Sequence, residues 1–325
     1  MEYKELGKSG IKVSVIGLGT WQWGSREWGW NRLYNKSDVL TAFQKAMEFG
    51  INFIDTAEVY GRGKSEKILG EAIHEHREDV VIGTKVWPWN LSYGRLLRAA
   101  ERSLHRLGVD VIDLYQVHWP NPLVSMHSTM RAMKKLVQDG KVRAIGVSNF
   151  NLKRLKAAQD ALAPLELVSD QVRYNLIDRQ IEEELLPYAK TEKITIIAYS
   201  PLAQGLLTGR YSRGCKPTSL VQTINPGFSS RNLARLLEVN QALSEIAKTH
   251  GMTPSQVALN WLTRRENVVA IPGVKKPEHA INDAGAVGWS MSSLEMERLD
   301  KVATDVQFDR LSAVPNLLRA VRHLQ

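Results

Sequence analysis

The stretch "FIDTAEVYGRGKSEKILGEAIHEHREDVVIGTKV", residues 53–86, contains the pattern that most clearly indicates the fold. An apolar run at 53–57 precedes a helical pattern at 65–76, and a second apolar run follows at 80–86. Both runs are continuous rather than alternating, which is typical of parallel strands buried on both faces. The stretch therefore indicates one strand–helix–strand unit of a parallel sheet.

The same alternation continues along the whole chain. Apolar, β-branched runs predict eight strands, at 13–18, 53–57, 80–86, 111–118, 142–148, 168–173, 194–199 and 268–271. Helical patterns follow them, at 37–49, 65–76, 92–107, 128–138, 152–162, 181–190, 254–264 and 277–284. This order predicts the α/β class and a single (β/α)8 TIM barrel. We also expect an N-terminal β-hairpin and two extra helices, at 231–250 and 293–302.

A doubly wound open sheet is the rival architecture. Its G-x-G-x-x-G fingerprint needs a third glycine, but "GLGTWQWG" at 17–24 has Gln22 in that place. No linker or change of composition divides the chain, so we interpret residues 1–325 as one domain. Within it, a long irregular stretch at about 203–230 is predicted to be an insertion over the barrel mouth, and about 286–325 a C-terminal extension.

Composition limits the possible partners. The chain is 43% hydrophobic and 24% charged, as in soluble globular proteins, and it contains neither a long apolar segment nor a signal peptide pattern. The single Cys215 cannot form an internal disulfide, and together these features favour a cytoplasmic location. The net charge of +9 is spread along the chain, and its densest region, 134–156, is better explained by solvated helix faces than by a nucleic-acid surface. We therefore expect no membrane or nucleic-acid partner, and the oligomeric state stays open.

Four polar residues stand where an active site is expected. Asp55, Lys85 and His118 each end a predicted strand, and Tyr60 lies on the loop after Asp55. Because the C-terminal ends of barrel strands surround the active-site mouth, these side chains should converge there. The nearby Gly63-Lys64-Ser65 resembles the end of a phosphate-binding P-loop, but Glu58 stands where that motif needs its first glycine.

The four side chains suit proton transfer to a carbonyl group. Tyrosine has a pKa of about 10, and a neighbouring lysine is expected to lower it. An aspartate beside the lysine holds the lysine in place and charged, and a histidine can donate a hydrogen bond to a carbonyl oxygen. The set predicts a proton donor placed over a polarised carbonyl.

Asp55, Tyr60, Lys85 and His118 resemble the catalytic tetrad of the aldo-keto reductases. Further motifs occur in the order of that family: "GLGTW" at 17–21, "GVSNF" at 146–150, "QVRYN" at 171–175, "AYSPLAQGLLTGRY" at 198–211 and "AIPGVKKPEH" at 270–279. The resemblance covers the chain from residue 6 to about 300, and it is strongest for the bacterial, plant-chloroplast and channel-subunit branches.

The resemblance implies an NADPH-dependent oxidoreductase that reduces aldehydes or ketones to alcohols by hydride transfer. Tyr60 would donate the proton, Lys85 and Asp55 would tune it, and His118 would orient the carbonyl. Lys275 and Lys276 stand where the family binds the phosphate that distinguishes NADPH from NADH, so NADH is expected to bind more weakly.

The resemblance also assigns residues to the cofactor. Tyr199 would stack on the nicotinamide, whose carboxamide Ser148, Asn149 and Gln171 would bind. The complete implied set is Thr20, Trp21, Asp55, Ser148, Asn149, Gln171, Tyr199, Ser200, Pro201, Leu202, Gly205, Leu207, Arg210, Ile271, Gly273, Lys275, Lys276, His279, Asn282 and Asp283. The chain departs from the family pattern at the last three, with His279 in place of Arg or Gln and Asn282-Asp283 in place of Glu-Asn.

The substrate side is rich in tryptophan. Seven of the nine tryptophans lie on predicted mouth loops, and we expect Trp21, Trp23, Trp87 and Trp119 to bind substrate. An apolar pocket of this kind favours an apolar or aromatic aldehyde. Arg26, Arg32 and Arg62 also lie on mouth loops, which leaves a carboxylate-bearing substrate open.

Other functions remain possible from the sequence. Lys85 could be the nucleophile of a Schiff-base aldolase, although that chemistry needs a neutral lysine. The chain could instead be a nucleotide-binding redox sensor with slow turnover, like the channel-associated members of the family. A metal site on Asp55 and His118 has no supporting His or Cys spacing, so no metal is predicted.

Overall fold

The structure, a computed structural model, describes residues 1–211, 217–304, 306 and 308. Residues 212–216 of the predicted insertion, with Cys215, lie outside the described residues, as does most of the C-terminal extension after 304. Within the described ranges, no helix has the length and apolar character needed to cross a membrane.

The chain forms a barrel of eight parallel strands. In the part of the chain that the structure describes, the strands are β1 (Tyr3–Glu5), β2 (Lys12–Ser14), β3 (Leu18–Gly19), β4 (Phe53–Asp55), β5 (Val81–Val86), β6 (Ile112–Val117), β7 (Val142–Ser148), β8 (Leu167–Arg173), β9 (Thr195–Tyr199) and β10 (Val268–Ile271). Strands β3 to β10 follow one another in sequence order around the sheet. Parallel bridges from Ile16 to Ala270 and from Gly19 to Gly273 join the first strand to the last. The predicted TIM barrel is confirmed.

Helices cover the outside of the sheet. In the described ranges they are α1 (Lys36–Glu48), α2 (Lys64–Ile73), α3 (Tyr93–Leu107), α4 (Met126–Gln138), α5 (Leu152–Leu162), α6 (Leu185–Thr191), α7 (Leu220–Ile224), α8 (Ser230–Arg235), α9 (Leu237–His250), α10 (Pro254–Thr263), α11 (Pro277–Ala284) and α12 (Ser293–Thr304). Helices α1–α6, α10 and α11 each follow a barrel strand, so four helices are extra instead of the two predicted.

Two helical predictions differ from the structure for local reasons. The pattern at 181–190 starts as a separate 3-10 turn, and α6 begins only at Leu185, which places Pro187 in its first turn. Proline is tolerated there because the first N–H groups of a helix have no partner within it. The predicted helix 231–250 is two helices, because the fully buried Leu236 takes φ −91° and ψ 0° between them.

The predicted strand 13–18 is also two elements. Its first part belongs to β2, which pairs antiparallel with β1 in the expected N-terminal hairpin, whereas β3 begins only at Leu18. The hairpin covers the N-terminal end of the barrel, where Leu6 and Val13 are fully buried. A Cβ at Gly7 would lie 2.5 Å from the Val168 carbonyl oxygen, so the turn presses directly on β8.

Alternation along the strands separates the core of the barrel from its mouth. One apolar cluster contains Phe53, Val81, Leu114, Ala144, Val168, Ile197 and Val269, from seven successive strands. Since residues two apart in a strand point to the same face, the next interior positions follow towards the C-terminal end. In β4, β6 and β9 these are Asp55, Gln116 and Tyr199, and Lys85 follows Val81 by four positions in β5. The same periodicity therefore fills the core and delivers polar groups to the mouth.

Candidate active site

A cleft of about 1590 Å³ opens at the C-terminal ends of the strands. Asp55, Tyr60 and His118 line it, together with residues of the predicted insertion. Asp55 is the last residue of β4, and His118 directly follows β6, with its backbone N–H bound to the Val86 carbonyl at 3.0 Å. The structure therefore places three of the four predicted catalytic residues at one surface.

Tyr60 reaches this surface through a tight turn. It opens a 3-10 turn, Tyr60–Gly63, in which Gly61, Arg62 and Gly63 all have left-handed backbone, with φ of 54°, 58° and 86°. A Cβ at Gly61 would lie 3.0 Å from backbone atoms of Gly24, so glycine also permits the close approach of the first loop. The sequence "YGRG" thus folds back sharply enough to return the tyrosine over Asp55.

Lys85 lies under this surface and joins the other groups. Its Nζ donates hydrogen bonds to Asp55 Oδ1 at 2.6 Å, to the Thr56 carbonyl at 2.8 Å and to the Tyr60 hydroxyl at 3.4 Å. The side chain is 0% exposed, and Nζ also lies 4.9 Å from the centre of the Tyr60 ring. All three ammonium donors are therefore used within the protein.

Asp55 is held from both sides. Its Oδ2 accepts hydrogen bonds from Gln171 Nε2 at 2.7 Å and from Gln116 Nε2 at 3.5 Å. Burial raises the pKa of the Asp55 carboxyl, and Lys85 opposes that shift. Burial likewise lowers the pKa of the Lys85 ammonium, which Asp55 opposes. Each charge is thus tolerated in the interior only because the other is present.

The pKa of Tyr60 shifts in the direction opposite to the one predicted. Burial, followed by the negative charge of Asp55, raises it well above the ordinary value of 10. Burial and the charge of Lys85 lower the pKa of His118 to about 3. At neutral pH the tyrosine is therefore a protonated donor and the histidine a neutral imidazole.

A second hydrogen-bonded group adjoins the tetrad. Asn149 Nδ2 donates to the His118 carbonyl at 3.1 Å, and Asn149 Oδ1 accepts from the Tyr199 hydroxyl at 3.0 Å. Ser148 Oγ donates to the Gln171 carbonyl at 2.7 Å. These residues come from β7, β8 and β9 but are held as one unit beside Asp55.

Left-handed backbone at non-glycine residues marks the same region. Asn149, Ser200, Ala203 and Gln204 have φ of 62°, 50°, 48° and 58°. Such conformations are costly for residues with a Cβ and concentrate at ligand-binding sites. They occur in the segments that follow β7 and β9, and Asn149, Ser200 and Gln204 line the cleft.

Cationic side chains line the far end of the cleft. Lys275 lies after β10, with Nζ 5.1 Å from the centre of the Trp28 ring, and its backbone N–H donates to His279 Nδ1 at 3.3 Å. Burial, Lys275 and Arg210 lower the pKa of His279 to about 4. Lys276 is the N-cap residue of α11 and is not among the lining residues. This end therefore combines positive charge with a helix N-terminus, which suits an anion.

The family model described as Aldo/keto reductase family matches residues 15–304. The chain belongs to the aldo/keto reductase family. The resemblance found in the sequence is thereby confirmed, and the protein is an NAD(P)H-dependent oxidoreductase.

Relatives and a solved structure agree with this reductase fold. An oxidoreductase of Mycobacterium tuberculosis is 40% identical over 304 residues, covering 93% of both chains. The chloroplastic pyridoxal reductase of Arabidopsis thaliana is 36% identical over 318 residues, covering 91% of this chain and 84% of its own. The structure of an aldo-keto reductase from Klebsiella pneumoniae in complex with NADPH is 31% identical, with a TM-score of 0.76 over 93% of this chain and 96% of that one.

Most residues that the sequence assigned to this aldo-keto reductase site line the cleft. They are Trp21, Asp55, Tyr60, Trp87, His118, Trp119, Ser148, Asn149, Gln171, Tyr199, Ser200, Pro201, Leu202, Gly205, Arg210, Ile271, Gly273, Lys275, His279, Asn282 and Asp283. Thr20 and Leu207 are fully buried instead, and Thr20 Oγ1 donates to the Asp55 carbonyl at 2.9 Å. Thr20 therefore supports the backbone of Asp55 but does not line the cleft.

The prediction that Trp23 binds substrate disagrees with the structure. Its side chain is 0% exposed, and Nε1 donates to the Val274 carbonyl at 2.9 Å. Trp23 thus ties the first loop of the reductase to the loop after β10. Trp28 lines the cleft in its place, with its ring packed edge-on against Trp21 at 5.1 Å.

Two further contributors to the reductase site, Gln116 and Thr253, were not predicted from the sequence. Gln116 bonds Asp55, and its position two residues after the interior Leu114 was a signal that could have found it. Thr253 also lines the cleft, while its hydroxyl caps α10 by accepting from the Gln256 N–H at 3.3 Å. In the sequence Thr253 has the pattern of a helix cap, and that pattern does not reveal that the residue also lines the cleft.

Proposed function

We propose that this protein reduces aldehyde or ketone carbonyls to alcohols with NADPH, and that Tyr60 donates the proton. The observation that carries the proposal is the contact of the buried Lys85 ammonium with both Asp55 and the Tyr60 hydroxyl. This contact places a positive charge beside the Tyr60 hydroxyl, which is the proposed proton donor and faces the cleft. A group of three or more His, Cys, Asp or Glu that could bind a metal is not found in the described ranges.

The cleft fits an extended dinucleotide. Its mouth-side part offers a ring face at Tyr199 and amide groups at Asn149 and Gln171, and its far end offers the cations Lys275 and Arg210. When bound, the cofactor supplies the hydride that adds to the carbonyl carbon.

Tyr60 completes the reduction by giving its proton to the carbonyl oxygen. The hydroxyl is protonated at neutral pH because burial and Asp55 raise its pKa. As the proton leaves, the negative charge that forms on the tyrosine oxygen lies 3.4 Å from Lys85 Nζ in this geometry. The ammonium therefore stabilises the product of the proton transfer more than the starting state, which is the requirement for catalysis. Proton donation of this kind contributes roughly 10²–10⁴-fold in rate.

His118 orients the carbonyl as a neutral donor. With a pKa of about 3, its ring carries one N–H at pH 7. The ring is fixed edge-on against Tyr60 and Trp87, with ring centres 5.7 and 5.4 Å away. A hydrogen bond from the imidazole would place the carbonyl oxygen beside the tyrosine hydroxyl.

The Schiff-base aldolase is not supported by this geometry. A nucleophilic lysine must present a free lone pair to the substrate. Lys85 is completely buried, uses its three donors within the protein and is not among the residues that line the cleft. The position of Lys85 favours a charge-stabilising role.

The walls of the cleft support an apolar or aromatic carbonyl substrate. Trp21, Trp28, Trp87 and Trp119 line it, and Trp21 and Trp119 are 38% and 44% exposed. Flat aromatic faces near Tyr60 suit an aromatic aldehyde. The name of the Arabidopsis relative, a pyridoxal reductase, agrees with this class.

Replacing Tyr60 by Phe tests the proposal. The variant is expected to lose about 10²-fold or more of kcat in NADPH-dependent reduction of an aromatic aldehyde, while it still binds NADPH. Tyr188→Phe is the matched control, since Tyr188 lies on α6 away from the cleft and its hydroxyl bonds Gln159. Reduction within a few-fold of wild type by Tyr60→Phe would contradict the assigned role. Very slow turnover of every carbonyl by the wild type would instead favour the redox-sensor alternative.

A further inference from the structure

One wall of the cleft beside Tyr60 is strongly cationic. It consists of the first loop at 21–28 and the turn at 60–64, which contribute Arg26, Arg62 and Lys64 to the lining, against the single acid Glu27. None of the three cations makes a side-chain hydrogen bond or an ion pair with any residue that the structure describes. Their charges are therefore available to a ligand.

The two segments of this wall are packed together. A Cβ at Gly24 would lie 2.7 Å from Lys64 Cβ, and one at Gly61 would lie 3.0 Å from the Gly24 carbonyl. The loop and the turn thus hold each other at contact distance. The exposed side chains of Arg26, Arg62 and Lys64 therefore extend from a packed backbone that also carries Tyr60.

Arg62 stands at a position where glycine would be the ordinary choice. Its φ of 58° is left-handed, and both of its neighbours are glycines in the same conformation. Such a conformation is unfavourable for a residue with a Cβ and is a reason to look for a function of the side chain. The guanidinium belongs to the same turn as Tyr60, two residues away.

Arg32, on the same loop as Arg26, has a structural role and provides a comparison. Its Nη2 donates to the Thr218 carbonyl at 2.9 Å, and it is not among the lining residues. Arg26 and Arg62 have no such partner in the described chain. Of the three mouth arginines that the sequence left open, Arg26 and Arg62 therefore line the cleft without bonding any described residue.

Trp28 adds an unsatisfied donor to the wall. Its side chain lines the cleft and is 3% exposed, and its Nε1 has no hydrogen-bond partner in the part of the chain that the structure describes. A buried indole N–H normally has an acceptor. A ligand oxygen in the cleft would provide one.

We propose that the carbonyl substrate carries an anionic group, a carboxylate or a phosphate ester, which binds at the wall formed by Arg26, Arg62 and Lys64. The inference rests on the proposed reductase function and narrows its substrate class to anionic aromatic or apolar carbonyls. Guanidinium groups bind carboxylate and phosphate oxygens through paired, charge-assisted hydrogen bonds. With the anion held there, the tryptophans contact the body of the substrate and the carbonyl lies towards Tyr60.

The test compares charged and uncharged aldehydes of nearly the same shape. The carboxylate pair is 4-carboxybenzaldehyde and its methyl ester, and the phosphate pair is pyridoxal 5′-phosphate and pyridoxal. For wild type we expect kcat/KM with NADPH to favour the anionic member of at least one pair by about tenfold, and this preference to shrink as salt increases. The pair that shows it identifies the anion.

The variant Arg62→Ala tests whether the preference for anionic aldehydes depends on the wall. Arg98→Ala is the matched control, since Arg98 is an exposed arginine on α3. Arg62→Ala should lower the ratio of anionic to neutral kcat/KM by about tenfold, and Arg26→Ala should lower it in the same direction. A ratio of anionic to neutral kcat/KM near one in wild type, or a ratio unchanged in both variants, would overturn the proposal of an anionic substrate. Reduction of the neutral aldehydes would still support the reductase function in that case. A rise in the Kd of NADPH in place of a changed ratio would assign the cations to the cofactor and also overturn it. Failure of wild type to reduce any of the four aldehydes would overturn both proposals.

Discussion

At the scale of single residues, Lys85 is central to the proposed mechanism. Its ammonium is the only cation in contact with both Asp55 and Tyr60 in the described structure, and it has no exposed surface. Removing an ion from water costs several kcal/mol, so a buried charge is stable only when partner groups offset that cost. The catalytic arrangement and the stability of the barrel interior are therefore coupled at this residue.

Lys85→Met is expected to abolish carbonyl reduction and to destabilise the fold by about 3–5 kcal/mol, since it leaves the buried Asp55 without its counter-charge. Urea unfolding followed by circular dichroism measures the second effect. The double variant Lys85→Met with Asp55→Asn should recover part of the stability but none of the activity. Loss of activity without any loss of stability would contradict the coupling.

Asp283 gives a pH-dependent prediction at the same scale. Burial raises the pKa of its carboxyl to about 7, with Asn282 as its hydrogen-bond partner at 3.4 Å. The folded protein therefore holds this proton more tightly than the unfolded chain, whose value is 3.8, so the group costs stability as pH rises from about 4 to 7.

Asp283→Asn should remove that cost. The free energy of unfolding of the variant relative to wild type is expected to increase by roughly 1.4 kcal/mol per pH unit between pH 4 and 7 and to level off above. Urea titrations of the ligand-free proteins across this range provide the measurement. A difference that does not depend on pH would show that the carboxyl keeps its ordinary pKa.

At the scale of elements, α11 and the loop before it set the far end of the cleft. Pro277 occupies the first turn of α11, and the N-cap residue Lys276 makes no side-chain cap. The free N–H groups and the positive end of the helix favour an anion, and Lys275 adds a cation that lines the cleft. The arrangement supports a preference for NADPH over NADH.

The contributions of Lys275 and Lys276 to the NADPH preference can be measured separately with single variants. Lys275→Met and Lys276→Ala are each expected to weaken NADPH binding several-fold while leaving NADH binding nearly unchanged, and the structure favours Lys275 for the larger effect. Tryptophan quenching gives the dissociation constants, and the NADPH preference of wild type should shrink with added salt. Equal affinities for both nucleotides at low salt would refute the phosphate site but not the reductase assignment.

At the scale of the whole molecule, the N-terminal end of the barrel contributes to stability and lies opposite the mouth. The β1–β2 hairpin closes the N-terminal end, where Leu6 is fully buried against the interior cluster. Lys4 anchors the hairpin by donating from Nζ to the carbonyls of Thr263, Arg265 and Val268 at 2.8, 2.5 and 3.0 Å. All catalytic candidates lie at the opposite end.

Leu6→Ala is expected to lower the free energy of unfolding by about 2–5 kcal/mol, because it opens a cavity in the barrel floor. KM for aldehyde and NADPH should stay at the wild-type values while the protein is folded. Thermal melts and steady-state kinetics below the melting temperature test both parts. A large change in KM would show that the floor and the mouth are mechanically coupled.

The order of residues along the chain was enough to predict the fold class and to propose Asp55, Tyr60, Lys85 and His118 as the catalytic residues. Continuous apolar runs at 53–57 and 80–86 predicted buried parallel strands, because strands that are buried on both faces contain few polar residues. Asp55, Lys85 and His118 could be found because a barrel places all its strand ends at one mouth. These features depend on local periodicity and on order along the chain, which a sequence contains directly.

Which of two neighbouring loop residues faces the cleft could be seen only in the folded molecule. Trp21 and Trp23 lie on one loop, yet one is 38% exposed and the other 0%, and Arg62 lines the cleft whereas Arg32 bonds Thr218. An irregular loop has no period from which the direction of a side chain could be inferred. The pKa of Tyr60 was likewise predicted in the wrong direction, because proximity to Lys85 can be guessed from sequence but the extent of burial cannot. Burial and orientation in loops arise from contacts between segments distant in the chain, and these exist only once the barrel has closed.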